Sequence, residues 1–316
     1  MRIELPQISS QIYPDETLNI ILNKYVEIGP PWIVHQLEWT NNIFKAFKDH
    51  DKYLIIIYLT KKTLDFYARN FTKLSYNEFY SKDTVEIEKF NIIEIAKNIN
   101  IPKESARRKI LELEAEGIIK RIKKKIIIDR SAFGFIKPTK AVIRTSRFLA
   151  LLSNILFKNK VMSESLSSEM LEKVIKDNFT YVWRDYYELQ IPMMLSYKKV
   201  FGDIEAWAIW GTCVVNEHLH TQKVGNVTSR TDFLNNLSNK TPQGLNAMSI
   251  SDITGIPRAT VVRKLKKLIN KKMLTINNKK QYKLTSAFIK KIEPVQAKVL
   301  NKLAEFSSKI FNLAIL

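Results

Sequence analysis

The sequence predicts a mainly helical protein with two small β-hairpins, laid out as two copies of one unit. A 33-residue segment occurs twice without a gap. It runs first from Ile101-Pro102-Lys103-Glu104-Ser105-Ala106-Arg107-Arg108-Lys109 to Ser131-Ala132-Phe133, then from Ile256-Pro257-Arg258-Ala259-Thr260-Val261-Val262-Arg263-Lys264 to Ser286-Ala287-Phe288. The copies stand 155 residues apart, and about ten positions are identical. That period is close to half of the 316-residue chain, so it marks two units of one kind. Within each copy, apolar residues first recur at helical spacing and then alternate over two short runs. The length suits two domains, each able to bury a core. They are placed at residues 1–160, with the motif at 92–130, and 161–316, with the motif at 247–285; the polar stretch 159–169 forms the boundary.

The elements follow in order. Residues 1–13 read as a loose arm. Asp15 to Val26 and Glu38 to Lys48 carry helix-spaced apolar residues, and Gly29-Pro30-Pro31 between them is expected to break the helix. Leu54, Ile57, Leu64 and Tyr67 predict a long helix ending near Asn70. Ile92–Asn98 and Pro102–Glu116 read as a short helix pair. Ile118–Ile122 and Lys125–Asp129 read as strands around a lysine-rich turn, and Lys140–Lys158 as the helix that closes the half. The second half retraces that order. It has an aromatic helical stretch at 168–200, a long helix from Asp203 to His220, and a polar stretch at 224–245 read as loop or short helices. The motif and a closing helix, Pro294 to Ile315, complete it.

The repeated unit has the requirements of a helix-turn-helix. Ala96 and Ser251 are small residues that let two helices approach. Four positions later, Asn100 and Gly255 are residue types that accept a left-handed backbone. Pro102 and Pro257 fall where the first turn of the second helix is expected, a place where a missing N–H costs nothing. Ala106, Ile110 and Leu113 face inward at i, i+4 and i+7, as do Val261, Leu265 and Leu268. Left facing outward are Lys103, Ser105, Arg107 and Arg108, and in the second copy Arg258, Thr260, Val262, Arg263 and Lys264. A recognition helix enters the major groove by this end, where Arg can pair with guanine and Ser or Thr can hold a phosphate or base edge. The strand pair that follows makes a wing. Its turns, Lys123-Lys124-Lys125 and Asn277-Asn278-Lys279-Lys280, suit phosphates or the minor groove.

Charge points the same way. The chain has 51 Lys and Arg against 31 Asp and Glu, a net +20, which favours a polyanionic partner. A codon bias toward lysine would spread that excess evenly. Instead, Lys103–Arg130 holds ten basic and five acidic residues, and Arg258–Lys283 holds ten basic and none acidic. The charge follows the motif, and the expected partner is double-stranded DNA. Cys213 is the only cysteine, which suits a reducing cytoplasm. The start of the chain lacks an apolar signal region, and the apolar runs Tyr53–Leu59 and Phe148–Phe157 fall short of the roughly 20 residues that span a bilayer. The expectation is a cytoplasmic, nucleoid-associated protein with no membrane partner.

The residues Ile-Pro-Arg-Ala-Thr-Val-Val-Arg-Lys-Leu-Lys-Lys-Leu at 256–268 resemble the recognition helix of bacterial winged-helix transcription regulators. The order of helices, wing and closing helix in each half is similar to the MarR-like group. The resemblance implies two tandem winged helix-turn-helix domains in a regulator that binds promoter DNA, often in response to a small ligand. MarR-like proteins are dimers of a single such half. Two halves in one chain imply an intramolecular pseudo-dimer, and the closing helix leaves room for a further homodimer. The heads differ, with Arg107 against Val262 and Glu104 against Ala259, so an imperfect palindrome is expected. Two other readings stand beside this one. Plasmid or phage replication initiators also resemble tandem winged helices, and such modules can serve as interaction scaffolds or RNA-binding proteins. Glu104, Glu112, Glu114 and Glu116 make the first copy the better candidate for a protein contact.

No catalytic constellation stands out, and no enzyme activity or cofactor is expected. His218 and His220, two apart on a helix, point to different faces, and no cluster completes a metal site. Cys213 reads as a buried small hydrophobe. With eight glycines in the chain, neither common phosphate-cradling loop is found. Tyr181, Trp183, Tyr186, Tyr187, Trp207 and Trp210 could line an effector pocket, but aromatic stripes of this spacing are more often core.

Overall fold

A computed structural model describes residues 8–132, 137–221, 230 and 244–315. The first half begins with α1 (Pro14–Asn23), α2 (Tyr25–Phe47), α3 (His50–Arg69), the short α4 (Tyr76–Phe79) and strand β1 (Thr84–Ile87). It continues with α5 (Ile92–Asn98), α6 (Lys103–Ala115), the hairpin β2 (Ile119–Ile122) and β3 (Lys125–Asp129), and α7 (Thr139–Lys158). The second half runs α8 (Ser168–Asp177), α9 (Phe179–Phe201), α10 (Ile204–Thr221), α11 (Ala247–Thr254) and α12 (Arg258–Asn270). It ends with β4 (Leu274–Ile276), β5 (Tyr282–Leu284) and α13 (Ser286–Ile315). Among the described residues the fold is mainly helical with two small antiparallel sheets. Phe133 and most of the polar stretch 224–245 lie outside the described residues.

One expected break is absent. α2 runs unbroken through Gly29-Pro30-Pro31. The two prolines remove N–H donors to the carbonyls of Val26 and Glu27, both in the first turns of the helix. Ile28, Gly29 and Pro30 are buried, so packing offsets those lost bonds. Gly29 is needed there because a Cβ would lie 2.7 Å from the Tyr25 ring. One strand was not foreseen. β1 pairs with β3 to give the order β1-β3-β2, with Val85 opposite Ile128 and Ile128 opposite Ile119. Thr-Val-Glu-Ile alternates exposed and buried, but four residues are too few to declare a period. In the second half a single bridge, Leu245 to Tyr282, stands in the corresponding place beside β5.

The backbone carries the duplication further than the identities do. Asn100 and Gly255 take φ of 52° and 71°, as their residue types led us to expect. Gly117 and Lys272 form another left-handed pair, at 73° and 57°, and Lys48 and Gly202, closing α2 and α9, a third, at 54° and 96°. Asp49 and Asp203 begin α3 and α10, their carboxylates accepting from backbone N–H groups of the first turn.

Packing between the halves is reciprocal. α3 lies on α9, and its counterpart α10 lies on α2; α1 lies on α13, and α8 on α7. Thr17 and Ser308 join α1 to α13 at 2.8 Å, and Ser153 of α7 accepts from the Leu166 N–H at 2.8 Å just before α8. Each half therefore covers the other, as subunits do in a closed two-fold dimer, and the buried apolar residues form one cluster. Trp183, Tyr186, Tyr187, Trp207 and Trp210 are buried in it, with Trp183 stacked 4.5 Å from Tyr186 and Trp207 stacked 4.9 Å from Tyr197. They are core. Cys213 is buried as well. α10 and α2 cross closely because Gly211 leaves room for Leu37, whose Cδ2 would lie 2.9 Å from a Cβ at 211. Gly211→Val is expected to cost about 1–3 kcal/mol by overpacking, read as a lower urea midpoint with one transition shared by both halves.

Candidate nucleic-acid interface

Each half presents a head: two short helices joined by a left-handed turn, then a hairpin. In the first, the Ile101 N–H closes the turn on the Ala96 carbonyl at 3.0 Å. In the second, the Ser251 hydroxyl donates to the Ile256 carbonyl at 2.7 Å. Pro102 and Pro257 are the N-caps rather than first-turn residues, with extended ψ of 143° and 135°. Ala106, Ile110 and Leu113, and Val261, Leu265 and Leu268, are buried under α6 and α12 as expected.

The opposite faces carry the cations. Lys103, Arg107 and Arg108 are exposed on α6, with Ser105 half-buried. On α12, Arg258 and Arg263 are exposed, and Thr260 and Val262 half-buried. Lys123, Lys124 and Lys125 are exposed at the first hairpin turn, and Asn278, Lys279 and Lys280 at the second. Lys123 and Lys280 take left-handed φ of 56° and 57°, which turn each hairpin.

Two expected contact residues are corrected. Lys264 is buried under α12, where its ammonium pairs with Asp203 and, at 3.3 Å, with Glu205. The helical period turns position 264 inward from Arg263, so this cation is spent inside the protein. Lys109, its counterpart, is buried in the same way against Asp49. Asn277 is half-buried and its side chain builds the turn. Its Oδ1 accepts from the N–H groups of Lys279 (3.0 Å) and Gln281 (2.9 Å), and its Nδ2 donates to Gln281 Oε1 at 2.9 Å. It shapes the loop that presents Lys279 and Lys280.

Reading the sequence missed two cations. Lys266 and Lys267 are exposed on α12, three and four residues beyond Arg263, hence on the same face. That spacing was the available signal.

The heads differ in their counter-charges. On the first, Arg108 faces Glu112 at 3.6 Å, Arg107 faces Glu104 at 4.0 Å, and Arg121 meets Glu114 at 2.7 Å. Lys120 meets Asp129 at 2.6 Å and Lys125 meets Glu86 at 2.9 Å. On the second, Arg258, Arg263, Lys266, Lys267, Lys279 and Lys280 form no ion pair among the described residues. No protein-family model, curated protein or solved structure matches the chain. No helix among the described residues is long and apolar enough to cross a membrane.

The buried ties respond to acid. Burial would raise the Glu205 carboxyl, but the hydrogen bond and charge of His50, with the charge of Lys264, outweigh it and hold the group well below the usual carboxylate range. Burial likewise opposes ionisation of Asp49, and the Lys109 ammonium and the backbone N–H groups of Lys52 and Asp51 overcome it. Both folded-state values lie below the unfolded ones, so this stabilisation is full above about pH 4 to 5 and is lost as pH falls through the folded values. Lys264→Met should therefore lower stability at pH 7 by about 1–3 kcal/mol and reduce its fall on acidification. Arg263→Ala should change it by no more than about 0.5 kcal/mol. Urea titrations at pH 7 and at about pH 2, well below the unfolded carboxylate values, compare the two.

Proposed function

We propose that this chain is a sequence-specific double-stranded DNA-binding transcription regulator, built as two tandem winged helix-turn-helix domains at 1–160 and 161–316. The observation that carries the reading is α12. Its outer face holds Arg258, Arg263, Lys266 and Lys267 without a carboxylate, beside a hairpin turn that projects Lys279 and Lys280. A helix of this charge, ending free at its N-terminal side, fits a major groove, and the lysine turn fits the flanking phosphates. Two further features support it. The same helix-turn-helix and hairpin recur in the first half, and the reciprocal packing of the halves resembles that of a dimer folded into one chain. On that reading the two recognition helices address major grooves about 34 Å apart on one face of the duplex.

Selection of bound duplexes from a random pool, followed by titration of the winner, tests this. A single preferred promoter-like site is expected, with affinity falling about 10³- to 10⁵-fold between 50 and 200 mM salt if six to ten phosphates are met. Arg263→Ala should lose about 1–3 kcal/mol of selectivity at one or two base pairs, whereas Lys279→Ala should weaken all duplexes alike. Enrichment of directly repeated sites would point to a replication initiator. Equal retention of every duplex, or preference for RNA, would overturn the regulator reading.

A further inference from the structure

The two heads share a backbone but not an electrostatic surface, and the difference is systematic. Four of the carboxylates that face cations on the first head lie within the exact repeat, so their counterparts are fixed by position. Glu104, Glu112, Glu114 and Asp129 correspond to Ala259, Lys267, Ile269 and Leu284. A fifth, Glu86, reaches Lys125 from β1, whose place among the described residues of the second half is held by the bridge of Leu245 to Tyr282. None of the four has a carboxylate at its counterpart, so α12 and its hairpin carry no acidic residue from Arg258 to Lys283, while Arg108 and its counterpart Arg263 remain exposed on both.

This has a direct consequence for a polyanion. The pairs of Arg107, Arg108 and Lys125 are exposed on both sides and stabilise the fold little, each by about 0–1 kcal/mol, so they are poorly explained as staples. Their stronger effect is on what approaches. A phosphate meeting Arg108 or Arg107 must displace or sit beside Glu112 or Glu104, and two like charges 4 Å apart repel by about 1 kcal/mol even in water. Several such encounters on one face offset the gain from its cations. The second head presents the same helix with no such opposition.

We propose that the heads divide the work. The second head supplies the affinity for duplex DNA, and the first is held back by its own carboxylates, so that the chain grips one dominant half-site instead of two similar ones. This rests on the DNA-binding reading above. Glu104, Glu112 and Glu114 act as guards on α6, tuning how far the complex extends along the duplex.

The test uses the full chain and the duplex selected above, measured by fluorescence anisotropy across salt and by footprinting. Arg263→Ala should weaken binding about tenfold or more, and Arg108→Ala less than about twofold. The combined variant Glu104→Ala and Glu114→Gln should bind more tightly, steepen the salt dependence by about 0.9 for each phosphate gained, and lengthen the footprint by up to about one helical turn. Glu112 and Glu116 are retained because they hold the nearly buried Lys52 at 2.9 and 2.6 Å. If the combined variant unfolds, Glu104→Ala alone, which removes a carboxylate from a 75 % exposed side chain, must show the same gain in smaller measure. Equal losses for Arg108→Ala and Arg263→Ala, or a footprint and salt slope unmoved by removing the guards, would overturn the division of labour and leave the regulator reading intact. A chain that retains no duplex at 50 mM salt would remove both.

Discussion

The tie between a buried lysine and the aspartate that begins a long central helix sets the geometry of both heads. Lys109 reaches Asp49 at the start of α3, and Lys264 reaches Asp203 at the start of α10. A buried ammonium is tolerable only against such a partner, because an unpaired one would shift its titration or pull the helix outward. Each aspartate also caps its helix through backbone N–H groups, so one carboxylate fixes the end of a central helix and the roll of α6 or α12 together. Turning the lysine inward leaves the preceding arginine, 108 or 263, outermost. The exposed face follows from the buried contact.

The two ties are not isolated from one another. His50, at the first turn of α3, donates at 3.3 Å to the Glu205 carboxylate of α10, and Glu205 also receives Lys264 at 3.3 Å. The other ring nitrogen of His50 meets the Thr40 carbonyl at 3.2 Å. Charge near α12 is therefore shared with an element of the first half. Combined with the crossing of α10 over α2 at Gly211, this makes the separation of the heads a property of the shared core.

Much of this was legible in the residues. The helix pairs, the hairpins and the left-handed turns at Asn100 and Gly255 were readable because each rests on local chemistry: apolar spacing, a residue tolerant of positive φ, a proline at a helix start. What was not readable rests on partners distant in sequence. Gly29-Pro30-Pro31 looks like a break by local rules, and only burial of its neighbours makes a continuous helix cheaper than a turn. Lys264 looks like one more cation in a basic run until α10 places two carboxylates beneath it. Asn277 looks like a contact at a loop tip, yet its amide is consumed by the turn it shapes.

Net charge counted along the sequence likewise misjudges the two heads. The first motif keeps a surplus of cations, but opposing groups are set within 4.0 Å across helix turns and across strands, so the field outside it is smaller than the count suggests. From Arg258 to Lys283 the second motif has nothing to subtract. Duplication gave both heads the same skeleton, since the buried lysine, the capping aspartate and the turn conformations are all retained. Divergence then fell on solvent-facing positions, where a change of charge costs the fold almost nothing and alters the attraction to a polyanion directly. A shared scaffold with unequal surfaces is the expected product when packing constrains one side of a helix and only ligand affinity constrains the other.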